Sequence, residues 1–243
     1  MMNAIEVKKL TRNYNGLTAV DDISFQVDVG EIFGFLGPNG AGKTTTIKVL
    51  TGQLRPTSGT AAVMGMDVVA DRQELADQLG VVFEYQNVYE RLSAVDNLRF
   101  CAQLYGAPRS RVNEVLDIVE LSDRAKERVK RFSNGMKQRL LIARAILHEP
   151  KVLFLDEPTR GLDPGVARQV RNLVANLSAQ GITIFLTTHY MEEADRLCSR
   201  VAILDEGKIV ELDTPDHLKQ RYGGGPGATL EDVFLELTGR DLY

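Results

Sequence analysis

The chain has no tryptophan and only two cysteines, Cys101 and Cys198, among 243 residues. Cysteines that far apart, without ligand-like spacing, exclude a disulfide framework and a cysteine-based zinc site, and they fit a reducing compartment. There is no run of about 18 apolar residues. The amino-terminal stretch MMNAIEVKKLTR also lacks an apolar centre of the signal-peptide kind, so the chain is expected neither to enter nor to span a bilayer alone. An excess of one charge is missing too: the net charge of -4 argues against a protein whose main partner is nucleic acid. What is present is ordinary for a globular enzyme, with 44% hydrophobic and 26% charged residues in a length that suits one large domain or a core with an inserted subdomain.

Three short apolar runs, GEIFGFLG (30–37), KVLFLDEP (151–158) and GITIFLTTH (181–189), read as strands buried on both faces, as in a parallel sheet. Each ends in polar residues, and ligands of open α/β sheets bind at the carboxyl ends of the strands, so the three ends are expected to share one site. Between about 90 and 145 the spacing turns helical, with Val95, Leu98, Ala102 and Tyr105, then Val112, Val115, Leu116 and Val119. This predicts an inserted helical subdomain. Ser133 caps a further helix over 136–147, with Met136, Leu140, Ala143 and Leu147 on its inner stripe. VAILDEGKIVELD (201–213) reads as a hairpin turning at Glu206-Gly207, and RYGGGPGATLEDVFLELTG as a glycine linker and a short amphipathic helix.

GPNGAGKTT, from Gly37 through Pro38, Asn39, Gly40, Ala41, Gly42, Lys43 and Thr44 to Thr45, follows a predicted strand and opens a helix. That context makes it a phosphate-binding loop. Glycines let the backbone wrap a polyphosphate with its N–H groups inward, and the helix start adds the positive end of a dipole. Lys43 is then expected on the β- and γ-phosphates and Thr44 on Mg²⁺. Asp156 is a second candidate for the metal, and Glu157 for polarising the attacking water; by themselves, adjacent carboxylates at a strand end read first as an ordinary solvated exit, and the phosphate loop reverses that preference. His189 ends the third run and is a candidate for the γ-phosphate, whereas His148 and His217 read as structural.

In that order, GPNGAGKTT, FSNGMKQ, LFLDEPTRGLD and LTTHYMEEAD resemble the nucleotide-binding domain of ATP-binding cassette (ABC) transporters over essentially the whole chain. The resemblance implies an α/β fold: a P-loop, RecA-like core (1–89 and 146–220) with an N-terminal antiparallel β portion, an inserted α-helical subdomain (90–145), and a glycine linker with C-terminal helix (221–243). It also implies an ATP hydrolase using ATP and Mg²⁺. Tyr14, otherwise a strand-flanking aromatic, becomes the residue on which adenine stacks. Two domains would assemble head to tail, with Ser133 and Gly135 of one closing over the ATP held by the other and Asp163 at the interface near the catalytic water.

Two features depart from the commonest pattern. The signature reads Ser-Asn-Gly-Met, and Glu84 stands where many members carry glutamine, with Gln86 two residues on. Either of the two is a candidate for sensing Mg²⁺ and the membrane partner, and a carboxylate there adds negative charge near a triphosphate. The expected partners are a second copy of the chain and a separate membrane permease, with no nucleic acid. The expected location is cytoplasmic, peripheral on the inner face of the cell membrane. SNGMKQR and TLEDVFLELTG resemble the branch that exports drugs, lipids or polysaccharides. A clamp acting on ribosomes or DNA, or a nonhydrolytic nucleotide-binding module, are the alternatives; Glu157 and His189 argue against the latter.

Overall fold

The structure, a computed structural model, describes residues 3–85, 87–225 and 227–239; Gln86 lies outside them. Strands β1 (Asn3–Tyr14) and β2 (Leu17–Asp28) meet at Asn15-Gly16, where both residues have positive φ (40° and 91°), the geometry that an Asn-Gly pair tolerates in a tight hairpin. β3 (Ile32–Leu36) leads through the glycine-rich loop into α1 (Lys43–Leu50), followed by β4 (Ser58–Val63), β5 (Met66–Asp67), α2 (Arg72–Ala76) and β6 (Leu79–Val82). Three helices come next: α3 (Ala94–Tyr105), α4 (Arg109–Ile118) and α5 (Asn134–Ala145). The chain then returns to strands with β7 (Val152–Asp156), α6 (Pro164–Ala179), β8 (Thr183–Thr188) and α7 (Met191–Leu197), and continues through β9 (Arg200–Asp205), β10 (Lys208–Asp213), α8 (Pro215–Tyr222) and α9 (Leu230–Thr238).

One sheet is four-stranded and antiparallel in the order β2-β1-β4-β5; the other has six strands in the order β10-β9-β3-β8-β7-β6, parallel except for β10 at its edge. The three apolar runs are therefore the neighbours β3, β8 and β7. Their continuous hydrophobicity follows from period-2 alternation between two cores. Phe33, Phe35, Val152, Phe154 and Phe185 face α1 and the antiparallel sheet, whereas Ile32, Leu36, Leu153, Leu155, Ile184 and Leu186 face the other helices. Phe185 sits at the centre of an aromatic cluster, 5.3–6.0 Å between ring centroids from Phe25, Phe33, Phe35 and Phe154.

Helix α5 starts where its cap predicts: the Ser133 hydroxyl accepts from the Met136 N–H at 3.2 Å. It stops at Ala145, short of the expected 147, because Ile146 leaves helical geometry (φ -102°, ψ 4°); Leu147 is buried from the turn that follows. The sequence pattern did not reveal α8. The expected glycine linker lies between α8 and α9, and α9 packs against α8 with Leu230, Val233 and Phe234 buried in the core.

Glu193 on α7 is 2% exposed, and neither carboxylate oxygen has a well-aligned hydrogen-bond partner. Burial raises its pKa above the ordinary carboxylate range; the nearby Thr188 and Thr159 hydroxyls and the Arg171 charge oppose that rise without cancelling it. A carboxyl that holds its proton more tightly in the folded state contributes stability at low pH, and that contribution fades as pH rises through the folded-state value.

Two stability measurements follow from this packing. Phe185→Ala is expected to cost about 3–5 kcal/mol in urea unfolding, the usual penalty for an emptied aromatic site that cannot collapse. Glu193→Gln is expected to flatten the fall in denaturation midpoint as pH rises above the ordinary carboxylate range. Curves parallel to the parent would clear Glu193 of that dependence.

Candidate active site

The order β3-β8-β7 brings three strand ends side by side, with Leu36 opposite Thr188 and Asp156 opposite Thr187. The glycine-rich loop, the Asp156-Glu157 pair and His189 consequently emerge at one edge. The loop needs its glycines for different reasons. Gly42 has φ 99°, and a Cβ there would lie 2.3 Å from the Ala19 carbonyl oxygen; Gly40, with φ 86°, turns the exposed tip next to Asn39. Gly37 lies against β9, where a Cβ would come within 2.5 Å of the Leu204 carbonyl oxygen. Pro38 accepts from the Ala41 N–H at 3.2 Å, which closes the loop on itself, and Thr45 lies half-buried in the first turn of α1.

Lys43 is 6% exposed and folds back over the loop. Its ammonium donates to the Gly37 and Pro38 carbonyls at 2.6 and 3.1 Å and lies 3.1 Å from Glu157 Oε1. That last contact is an ion pair without hydrogen-bond alignment, so Oε1 has no true hydrogen-bond donor. The other oxygen, Oε2, is 2.7 Å from His189 Nδ1. A carboxylate only accepts, so Nδ1 carries the hydrogen. The Glu157 backbone has φ 53°, left-handed for a residue with a side chain, at a cost of about 1–3 kcal/mol. Its N–H holds the turn by donating to the Thr187 carbonyl at 3.0 Å.

Asp156, 1% exposed, is satisfied by two hydroxyls: Thr44 donates to Oδ2 at 2.7 Å and Thr187 to Oδ1 at 2.5 Å. Thr44 and Asp156 thus present two hard oxygens side by side at the start of α1, a donor set that suits a magnesium ion completing its shell with phosphate and water. The role of Thr187 was not foreseen; its only sequence signal is its place one residue from the end of a buried strand that leads to His189. Glu84 is engaged differently, by the Arg160 guanidinium at 2.5 Å. Nothing in the sequence discloses that pairing without the adjacency of β6 and β7.

The remaining candidates lie outside this cluster. Tyr14 ends β1 with its ring partly exposed and the Arg12 guanidinium 4.7 Å from its centroid. Ser133 and Asp163 are exposed caps of α5 and α6, and the Asp163 carboxylate makes no capping bond. Gly135 is buried, and a Cβ there would lie 2.1 Å from Val166 Cγ1, so glycine is required by packing within the chain whatever else approaches it. His148 and His217 are occupied structurally, His148 on the Leu79 carbonyl and the Tyr105 ring, and His217 on Asp213.

A family model described as ABC transporter matches residues 20–160, more than half of the chain. A fluoroquinolones export ATP-binding protein of Mycobacterium tuberculosis is 39% identical, over 98% of this chain and 94% of that protein. The bacitracin transport ATP-binding protein BcrA of Bacillus licheniformis is 42% identical, over 91% and 73% respectively. Among solved structures, an ATP-binding cassette in a dimeric post-hydrolysis state bound to ADP and Pi superposes with a TM-score of 0.78 at 25% identity, covering 86% of this chain and 98% of that one. These likenesses favour a transporter over a clamp on ribosomes or DNA. With a phosphate loop, a buried acid and a histidine gathered at one sheet edge, the chain belongs to the ATP-binding cassette family, as an ATP-binding, ATP-hydrolysing subunit of an ABC transporter.

Proposed function

We propose that the chain powers export of a drug-like or antibiotic-like compound through a separate membrane permease, working as a dimer that clasps Mg·ATP between two copies. The observation that carries the chemistry is the Glu157 carboxylate, shared between Lys43 on one oxygen and His189 on the other. A triphosphate entering the loop competes for Lys43 and draws the ammonium away from Glu157. The freed Oε1 then has no donor of its own and is ready to take a proton from an attacking water. His189 keeps the opposite oxygen fixed, and it can also donate to a phosphate oxygen from Nε2 when both ring nitrogens carry hydrogen. Magnesium, held by Thr44 and Asp156 together with the phosphates, would supply charge neutralisation during phosphoryl transfer.

Closure in trans fits the exposed tips. The Ser133 hydroxyl accepts from its own helix and still has a hydrogen to donate to a phosphate of the neighbouring copy, while the start of α5 adds its dipole. Among the described residues the Asp163 carboxylate makes no capping bond, which leaves it suited to the shared interface, and the Tyr14 ring is open enough for adenine. Among the described residues no helix is long and apolar enough to cross a membrane, so the transport path is assigned to the permease, with this chain on its inner face. Its docking surface is the groove of about 500 Å³ between the sheet edge and α3, where Tyr89, Phe100, Leu104 and Tyr105 are exposed around Arg72 and Arg144. Export by the fluoroquinolones relative supports the direction.

Lys43→Ala is expected to weaken ATP binding by about 10-fold or more in nucleotide titration, since it removes a charge-assisted contact to phosphate. Glu157→Gln should slow hydrolysis by about 10²–10⁴-fold while leaving binding intact. With ATP it should also run as a dimer on size exclusion. Unimpaired turnover in Glu157→Gln would remove Glu157 from the chemistry, and a strictly monomeric species with ATP would end the clasp.

A further inference from the structure

The carboxyl ends of β6 and β7 gather three acids. β6 runs parallel to β7 in unbroken register from Leu79 opposite Val152 to Val82 opposite Leu155. Glu84 lies two residues past the end of β6, and Asp156 and Glu157 lie at the end of β7 and just after it. Two of the acids have partners inside the site: Asp156 takes two hydroxyls, and Glu157 has Lys43 and His189. The third, Glu84, has Arg160.

We propose that Arg160 is a positioning residue for ATP hydrolysis: its guanidinium supplies the counter-charge for Glu84 and keeps that carboxylate off the phosphates and metal of the bound nucleotide. The inference rests on the ATP-hydrolysing reading above. Arg160 is tied to the site at both ends, because its backbone N–H donates to the Glu157 carbonyl at 3.2 Å while its side chain grips Glu84. It therefore sits on the same turn as Glu157. Without it, Glu84 would present an unpaired negative charge beside a triphosphate, and like charge in so crowded a place opposes anion binding.

A half-exposed ion pair of this kind contributes little to folding, so the effect belongs in nucleotide handling rather than in stability. The test is a double-mutant cycle on the full chain, measuring KM and kcat for Mg·ATP together with thermal unfolding. Arg160→Gln should raise KM about 10-fold in the parent background and less than about 2-fold in the Glu84→Gln background, because the charge it compensates is then gone. Arg160→Lys, which keeps the charge, should recover most of the loss, and unfolding temperatures should remain close to the parent's. Equal effects of Arg160→Gln in both backgrounds overturn the inference, as does a KM change that follows lost stability. If the parent chain turns over ATP normally and Arg160→Gln is indistinguishable from it, this inference alone fails. A parent chain that binds no Mg·ATP overturns the function and the inference together.

Discussion

The site depends on one contact, the ion pair between Lys43 and Glu157 under the phosphate loop. Both side chains are almost wholly buried, and each is held by a second neighbour as well, Lys43 by loop carbonyls and Glu157 by His189. A buried pair of this kind is stable only while both partners stay, because removing one leaves a charge without solvent or counter-ion. On the proposed function, a triphosphate entering the loop supplies the negative charge that lets the lysine leave the acid. The left-handed backbone at Glu157 is held by the adjacent strand through its N–H bond to Thr187, which on the proposed function aims the carboxylate before substrate arrives.

The two cores explain how so short a sheet edge can be held that rigidly. β3, β7 and β8 are gripped on one face by the phenylalanine cluster and on the other by aliphatic side chains, so none of their ends has room to drift. The site sits at the ends of strands buried on both faces. Of the exposed apolar residues, Tyr85, Tyr89, Leu92, Phe100, Leu104 and Tyr105 fall on α3 and the loop before it, whereas Tyr14, Leu17, Val29, Val69, Val210 and Leu235 are scattered elsewhere. On the proposed function, the permease would dock on the α3 groove rather than at the phosphate loop.

Much of this was legible in the sequence. The uninterrupted apolar runs announced β3, β7 and β8, the spacing of GPNGAGKTT announced the loop, and Ser133 announced the start of α5. Features that depend on which strand lies beside which were not legible. The Thr187 bonds and the Arg160–Glu84 pair join residues far apart in the chain, through adjacencies that no local pattern encodes. The resemblance gives Gly135 a place closing over ATP; its constraint within the chain is Val166. α8 was missed because its few buried positions, Pro215 and Leu218, leave almost no periodic signal.

The contact between Gly135 and Val166 has a mechanical consequence. The tips of α5 and α6, carrying Ser133 and Asp163, are wedged together with not even a methyl group's clearance. Because Gly135 seats directly on Val166, the two helix starts share a contact with no slack, so a tilt at one tip presses on the other.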